Sequence, residues 1–459
     1  MARQAEAAET RRFGRSAAML SVGVGSAGLL TYVYFSLASH NLDRTAYGEV
    51  VVLWSAVFVT ISILFRPVEQ LLSRTIAARQ ARSEPIADAL RVAATIQLGL
   101  ATAFAAAALA LRGPLQDDLL SGNSTLYWIC VAAVLAFGAS FFARGFLAGS
   151  RRFVLYGALL LAESTARMSF SLAVAVGIAS GQTAVALGIV AAPVLSLTVV
   201  PLAFAGRAVS RRAAGPPPPR TEGTQFTLAR GGGFAAAVLL IMTSEQSLLN
   251  AGPLIVRGLE GAAAAGFIFN VLMIARAPLV LFQAVATSLL PHLTRLRASG
   301  AAGDAGAFRA SVRMTLAAIA AFAALVALVV AVAGPDLMQL AFGKKFTYDR
   351  AGLLIVTAGM GFYLASGTLN QAALAQGQAR AAAARWVVCA AGFVAWNFVP
   401  VFGEFRRVEV GFAGAAALLC ALLYVLYRHP PRVARPGDLV TPGSPQEIEA
   451  RLAAADEAS

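Results

Sequence analysis

The residues best suited to chemistry in this chain are charges that fall inside long apolar segments. Arg167 and Arg276 each sit near the middle of such a segment, and Arg66 and Arg144 near the ends of two others. Charge placed inside a bilayer is costly and therefore informative. A guanidinium stays protonated and presents a planar fork of donors that holds a phosphate or carboxylate through two parallel hydrogen bonds. Such groups suit an anion that must cross an apolar barrier. Glu163 and Glu245 are the clearest carboxylates within the segments. A carboxylate in low dielectric takes up a proton or Na⁺ reversibly, which is the chemistry of coupling to an ion gradient.

Each of these residues also has a plainer reading. Glu163 precedes Arg167 by four residues, the favourable order for a pair along one helix. Glu245 is placed to pair with Arg276 on the neighbouring helix. Arg66 and Arg144 either recruit an anionic group at the inner face or snorkel to anionic lipid head groups. The two central arginines balance the two glutamates, and a net cationic lining arises only when the edge arginines are added. Asn250, Asn270, Gln283, Asn370 and Gln371 lie at or within segments. They bind sugar hydroxyls or make interhelical hydrogen bonds, the commoner use in membrane bundles. Cys130, Cys389 and Cys420 lie in apolar segments without disulfide or metal spacing. His40, His292 and His429 sit at segment edges, with no acid or cysteine cluster that would make a metal site. No cofactor is expected beyond a coupling H⁺ or Na⁺.

The elements that position these charges must be membrane helices. Hydrophobic residues make up 58% of the 459-residue chain and charged residues 13%, against about a quarter charged in soluble domains. Segments long enough to span a bilayer, about 20 apolar residues, fall at 17–39, 48–70, 92–111, 124–147, 154–178, 183–205, 228–250, 263–288, 314–334, 351–375, 386–402 and 408–427. They lack the alternation of barrel strands. The first has arginines before it, as a signal peptide does, but its apolar stretch is too long for one. Pro67, Pro193, Pro278 and Pro400 are placed to kink or end helices.

The formal charge of +14 is distributed unevenly. Most Lys and Arg lie in the N-terminus, the even-numbered connections and the C-terminal tail. Basic loops stay in the cytoplasm, so the bias places both termini inside and explains the charge without nucleic acid. Of the basic residues only Lys344 and Lys345 are lysine, and alanine abounds. That bias suits a GC-rich bacterium and hence a bacterial plasma membrane.

Residues 206–227 form a basic, proline-rich linker too polar for a bilayer. It separates a six-helix unit over 17–205 from a second over 228–428, with residues 1–16 and 429–459 as cytoplasmic ends. The units share connections. Leu42-Asp43 leads to Tyr47-Gly48 at the second segment, and Leu259-Glu260 leads to Ala265-Gly266 at the eighth. A Leu-Ala pair and a glycine close both the fourth segment (ARGFLAGSRRF, 143–153) and the tenth (NQAALAQGQAR, 370–380). Arg66-Pro67 is echoed by Arg276-Ala277-Pro278. Repeated units with a site between them are typical of transporters. The expected fold is an all-α polytopic membrane protein of twelve helices in two pseudo-symmetric six-helix bundles.

LDRTAYGEV entering the second helix, LLNAGPLIVRGLEGAAAAGFIF entering the eighth, LLPHLTRL at the inner end of the eighth and AFGKKF before the tenth resemble polysaccharide flippases of the O-antigen and teichoic-acid type. These belong to the multidrug/oligosaccharidyl-lipid/polysaccharide exporter superfamily. The resemblance covers roughly residues 13 to 428 and is diffuse. It implies a V of two bundles that opens alternately to each side. It further implies a polyprenyl-diphosphate-linked oligosaccharide as cargo, flipped from the inner to the outer leaflet. Membrane lipids and glycan polymerases or glycosyltransferases are the implied partners, with the chain itself a monomer. Fourteen helices are usual for lipid II flippases, so twelve favour the O-antigen type.

Rival functions fit less well. A glycosyltransferase or glycan ligase needs a sizeable outer loop with reactive groups. The outer loops here offer Asp43, Arg44 and Glu49, then Asp117 and Asp118. No nucleophile, paired carboxylates or glycine-rich phosphate loop is evident, so an enzyme is not expected. A drug/cation antiporter of the same fold is the alternative, and it would want acids to dominate the cavity. For a structural scaffold, intramembrane charge would be an unneeded cost.

Overall fold

The computed structural model describes residues 23, 25–82, 84–202, 228–276 and 304–429. The expected linker at 206–227, residues 1–16, Pro278, Gln283, His292 and the tail from 430 onward lie outside these residues. Among the described residues every regular element is a helix. In chain order they are α1 (25–41), α2 (Arg44–Leu64), α3 (Arg66–Ala81), α4 (Ala87–Ala110), α5 (Ser124–Gly149), α6 (Phe153–Ala175) and α7 (Gly181–Ser196). The second set is α8 (Leu228–Glu260), α9 (Ala262–Arg276), α10 (Asp304–Phe342), α11 (Arg350–Ala375), α12 (Ala379–Trp396) and α13 (Glu404–Arg428). A single π-helical turn, Pro114–Leu119, lies between α4 and α5.

Eight of the described helices are long and apolar enough to cross a membrane, counting α2 and α3 as one. Helices α1, α8, α9 and α12 occupy the other four expected positions. Helix α2 runs into α3 through a break at Phe65, with Pro67 in the first turn of α3. A proline there has no amide to lose and clashes with the carbonyl four residues back, so the chain bends. Short polar side chains start the helices. Asp43 accepts the Thr45 and Ala46 amides at 2.9 Å, Asn123 the Leu126 amide at 3.1 Å, and Asp349 the Gly352 amide at 2.9 Å. Each satisfies donors that have no partner within the helix.

Several helices outrun the expected segments. Helix α8 has 33 residues, because the expected connection at 251–262 is helical as far as Glu260. Only Gly261 breaks it, at φ 91°, a conformation in which a side chain is strained. Helix α10 has 39 residues, about 58 Å at 1.5 Å per residue. That is well beyond an apolar layer of about 30 Å. Glu49, read from the sequence as an outer-loop acid, is instead a buried residue of α2 bonded by Gln182 at 2.8 Å.

Helices α2 to α7 pack on one another, and α8 and α10 to α13 do likewise. Helix α1 joins the first group, where the Tyr34 hydroxyl donates to the Val185 carbonyl at 3.0 Å. Helix α9 joins the second, with Leu272 against Gly252. The result is two bundles that meet where α2 lies on α8 and where α2 crosses α9. Small residues set the close approaches. A Cβ on Gly145 or Gly149 of α5 would come within 2.8 Å or 2.7 Å of a carbonyl oxygen of α3. This four-residue spacing of small residues lets two helix backbones touch, and it brings Glu69 of α3 beside Arg144 of α5.

Candidate functional site

In the first bundle the charges close on one another. Glu163 of α6 accepts from Arg167 at 3.0 Å through one carboxylate oxygen. Its other oxygen takes Arg144 of α5 and, at 3.3 Å, the Ser140 hydroxyl. One carboxylate thus holds two guanidinium groups, all three side chains being at most 10% exposed. Arg167 also donates to Thr31 of α1 at 3.2 Å and lies over the Trp54 and Phe58 rings, 4.5 Å and 5.8 Å from their centroids. Arg144 lies 4.6 Å from the Phe141 ring centroid. A cation on an aromatic face recovers part of its lost hydration. The intrahelical pair read from the sequence is therefore present, but it is half of a three-residue bridge.

Next to this bridge lies Glu69, which the sequence reading passed over. It accepts from the Tyr156 hydroxyl at 2.9 Å and is within electrostatic reach of Arg144 and Arg66. Its signal was the three-residue spacing from Arg66. Its place near the end of an expected segment hides it, because an acid there is usually solvated.

The second bundle is arranged differently. Glu245 of α8 accepts from the Tyr363 hydroxyl of α11 at 2.9 Å. The pairing of Glu245 with Arg276 that the sequence suggested is not among the ion pairs of the described residues. The hydroxyl takes that place, because a buried acid is satisfied by any well-aimed donor. Arg276 keeps Nε and Nη2 buried without a hydrogen-bond partner. It acts on the Tyr363 hydroxyl only through space, as does Arg66 from the opposite bundle. Arg276 is seven residues after Phe269 and so on the same helix face. At Phe269 that face meets Phe35 of α1, with ring centroids 4.6 Å apart. Arg66, Tyr363, Glu245 and Arg276 thus lie about the region between the bundles.

The neutral candidates are dispersed. Asn270 accepts from the Tyr47 hydroxyl across the bundle boundary. Asn250 donates to Gln246 one turn back on α8, at 3.1 Å to its side chain. Asn370 accepts from the Trp386 indole at 3.2 Å. The Gln371 carbonyl oxygen is buried without a partner. In the interior, Arg66, Arg144, Arg167 and Arg276 are matched in number by Glu49, Glu69, Glu163 and Glu245.

Outside the membrane-spanning helices, Tyr348 and Asp349 join the start of α11 to α13. Asp349 pairs with Arg406 at 3.0 Å. Partial burial acts upward on its carboxyl, but the Gly352 amide and the Arg406 guanidinium outweigh this and hold it below the usual range. Burial first, then the Glu409 carboxylate, push the Tyr348 phenol up.

No family model matches the chain, and no curated protein matches it. Solved structures do. An inward-facing multidrug resistance MATE family transporter of the MOP superfamily superposes with a TM-score of 0.68 at 11% identity, over 90% of this chain and 97% of that one. The eukaryotic MATE transporter AtDTX14 gives 0.61 at 15% identity, over 91% and 95%. The Vibrio cholerae MATE transporter VcmN in its bent form gives 0.58 at 16%, over 91% and 97%. The chain has the twelve-helix, two-bundle fold of MATE transporters.

Proposed function

We propose that the chain is a membrane transporter, not an enzyme, and that it moves an amphipathic cargo by alternating access between its two bundles. Contacts that join the bundles at the odd-numbered end, such as Lys345 on the Leu42 carbonyl, support an inward-facing state here. Positive loops on the even-numbered connections support cytoplasmic termini in a bacterial inner membrane.

For the cargo, the geometry favours an anionic head group, of which a polyprenyl-diphosphate-linked oligosaccharide is the fullest case. The observation that carries this is Arg276, a half-buried residue whose guanidinium keeps Nε and Nη2 buried without a partner. Such donors are costly to leave unmade, and a phosphate oxygen satisfies them with charge-assisted bonds. Arg66 supplies the matching group from the other bundle. Arg144 and Arg167 act from behind, since Glu163 already engages them. Glu245, held by a hydroxyl and not by a guanidinium, is the better placed of the two acids to exchange a coupling H⁺ or Na⁺.

A second reading, export of a drug or organic cation in exchange for an ion, is favoured by the comparisons, because the solved neighbours include a multidrug resistance transporter. Proteoliposomes separate the two. On the first reading, the protein flips a fluorescent polyprenyl-diphosphate saccharide, and Arg276→Ala slows this about tenfold or more. Arg276→Lys recovers part of it, having charge but no fork. Unchanged flipping by Arg276→Ala, or efflux of an organic cation with no flipping, would leave the second reading standing.

A further inference from the structure

The two bundles are joined by a cluster of contacts toward the end where the odd-numbered connections lie. Lys345 donates to the Leu42 carbonyl at 2.9 Å, and Arg44 donates back to the Lys345 carbonyl. Arg257 of α8 donates to the Leu119 carbonyl at 3.1 Å and the Ser121 hydroxyl at 2.9 Å. Ser36 donates to the Ala341 carbonyl. At the centre of this cluster α2 and α9 cross backbone to backbone. A Cβ on Gly48 would lie 1.8 Å from the Ala262 carbonyl oxygen, and one on Gly266 would lie 2.9 Å from the Gly48 Cα. Tyr47 and Asn270, both fully buried, flank the crossing and bond across it.

Gly48 and Gly266 are the equivalent glycines of the two repeats, each following its leucine–acid pair. They touch one another, so the pseudo-two-fold axis of the molecule passes between them. We infer that this glycine crossing, and not the cation-to-carbonyl bonds around it, holds the odd-numbered end shut, and that the two glycines must part for that end to open. The bonds from Lys345, Arg44 and Arg257 are made at the rim by side chains that water can serve equally well, so each adds little. The backbone contact is dry and geometric. It is lost as soon as either glycine gains a side chain. The inference rests on the alternating-access reading above but is independent of the cargo.

Electron–electron distance measurements test it, with spin labels on Asn41→Cys and Lys344→Cys, both exposed at this end. The native cysteines are replaced, and the full chain is held in lipid nanodiscs without cargo. The parent should show mainly a short distance. Gly48→Ala and the milder Gly266→Ala should raise the ratio of long to short distances by about tenfold or more. Gly99→Ala, where a Cβ meets nothing within 4 Å, should match the parent. The double variant Arg44→Ala, Lys345→Ala should keep the short distance. A folded Gly48→Ala or Gly266→Ala protein with the parent distribution would overturn the inference. So would a double variant that opens with both glycines intact, an arm that stands even if the glycine variants do not fold. Failure of saccharide flipping in proteoliposomes would leave all these distances unchanged, so loss of the cargo reading is told apart from loss of this one.

Discussion

The two bundles carry the same kinds of charge and use them in opposite ways. In the first, Glu163 is gripped by Arg144 and Arg167, so that each guanidinium has a carboxylate partner and keeps only its Nε among the buried unpartnered atoms. In the second, Glu245 has a tyrosine hydroxyl, and Arg276 has unused donors. Buried ion clusters of the first kind hold helices in register, and breaking them leaves an uncompensated charge. An unfilled guanidinium of the second kind is a cost to the fold, and such costs are retained where a ligand offsets them. An intramembrane arginine is therefore not evidence of a binding site by itself. Whether its donors are already taken decides the matter.

The sharpest way to break this contrast is Glu163→Ala. It leaves two buried guanidinium groups facing each other and should destabilise the first bundle by about 3–5 kcal/mol. Thermal unfolding in detergent reads this as a large fall in midpoint or as failure to accumulate. An unchanged midpoint would mean that the bridge does not support the bundle. Arg276→Ala should do the reverse, leaving the midpoint close to the parent while transport falls. If it unfolds the protein, Arg276 belongs with the structural set.

Tyr363→Phe removes the hydroxyl that Glu245 accepts and should cost about 1–3 kcal/mol. An unchanged unfolding midpoint would show that this hydrogen bond does not support the second bundle. The smallest effect is expected at Asp349, which is largely exposed. Its carboxyl is held below the usual range in the folded state, so its contribution is present above the unfolded pKa and lost as pH falls through the folded one. Asp349→Asn should flatten the acid limb of the stability curve slightly. An equal acid limb in both proteins would show that the Arg406 pair contributes nothing measurable.

Much of the fold was legible because apolar length is an additive signal, carried by many residues at once. Segment ends were not. Helix α8 runs through Pro253 to Glu260 where apolarity alone had stopped it near 250, since a helix continues past the bilayer whenever nothing breaks it. The site was legible in kind and less so in partnership. The spacing from Glu163 to Arg167 announced their pair, whereas Arg144 arrives from another helix, through a close approach set by Gly145 and Gly149. Glu69 and Tyr363 were missed for a related reason. A tyrosine in an apolar run reads as packing until its hydroxyl is seen to meet an acid, and an acid at a segment edge reads as solvated until its helix is seen to be buried.

The contact of Gly48 with Gly266 bears on how such a chain came to be assembled. In a pair of identical six-helix subunits related by a true two-fold axis, this position would face its own copy. Any side chain there would have collided with itself, twice over, from a single base change. Fusing two copies into one chain lifts that restriction in principle, since each half can then vary alone. The backbone contact keeps it in force: neither half can gain a β-carbon unless the other gives way.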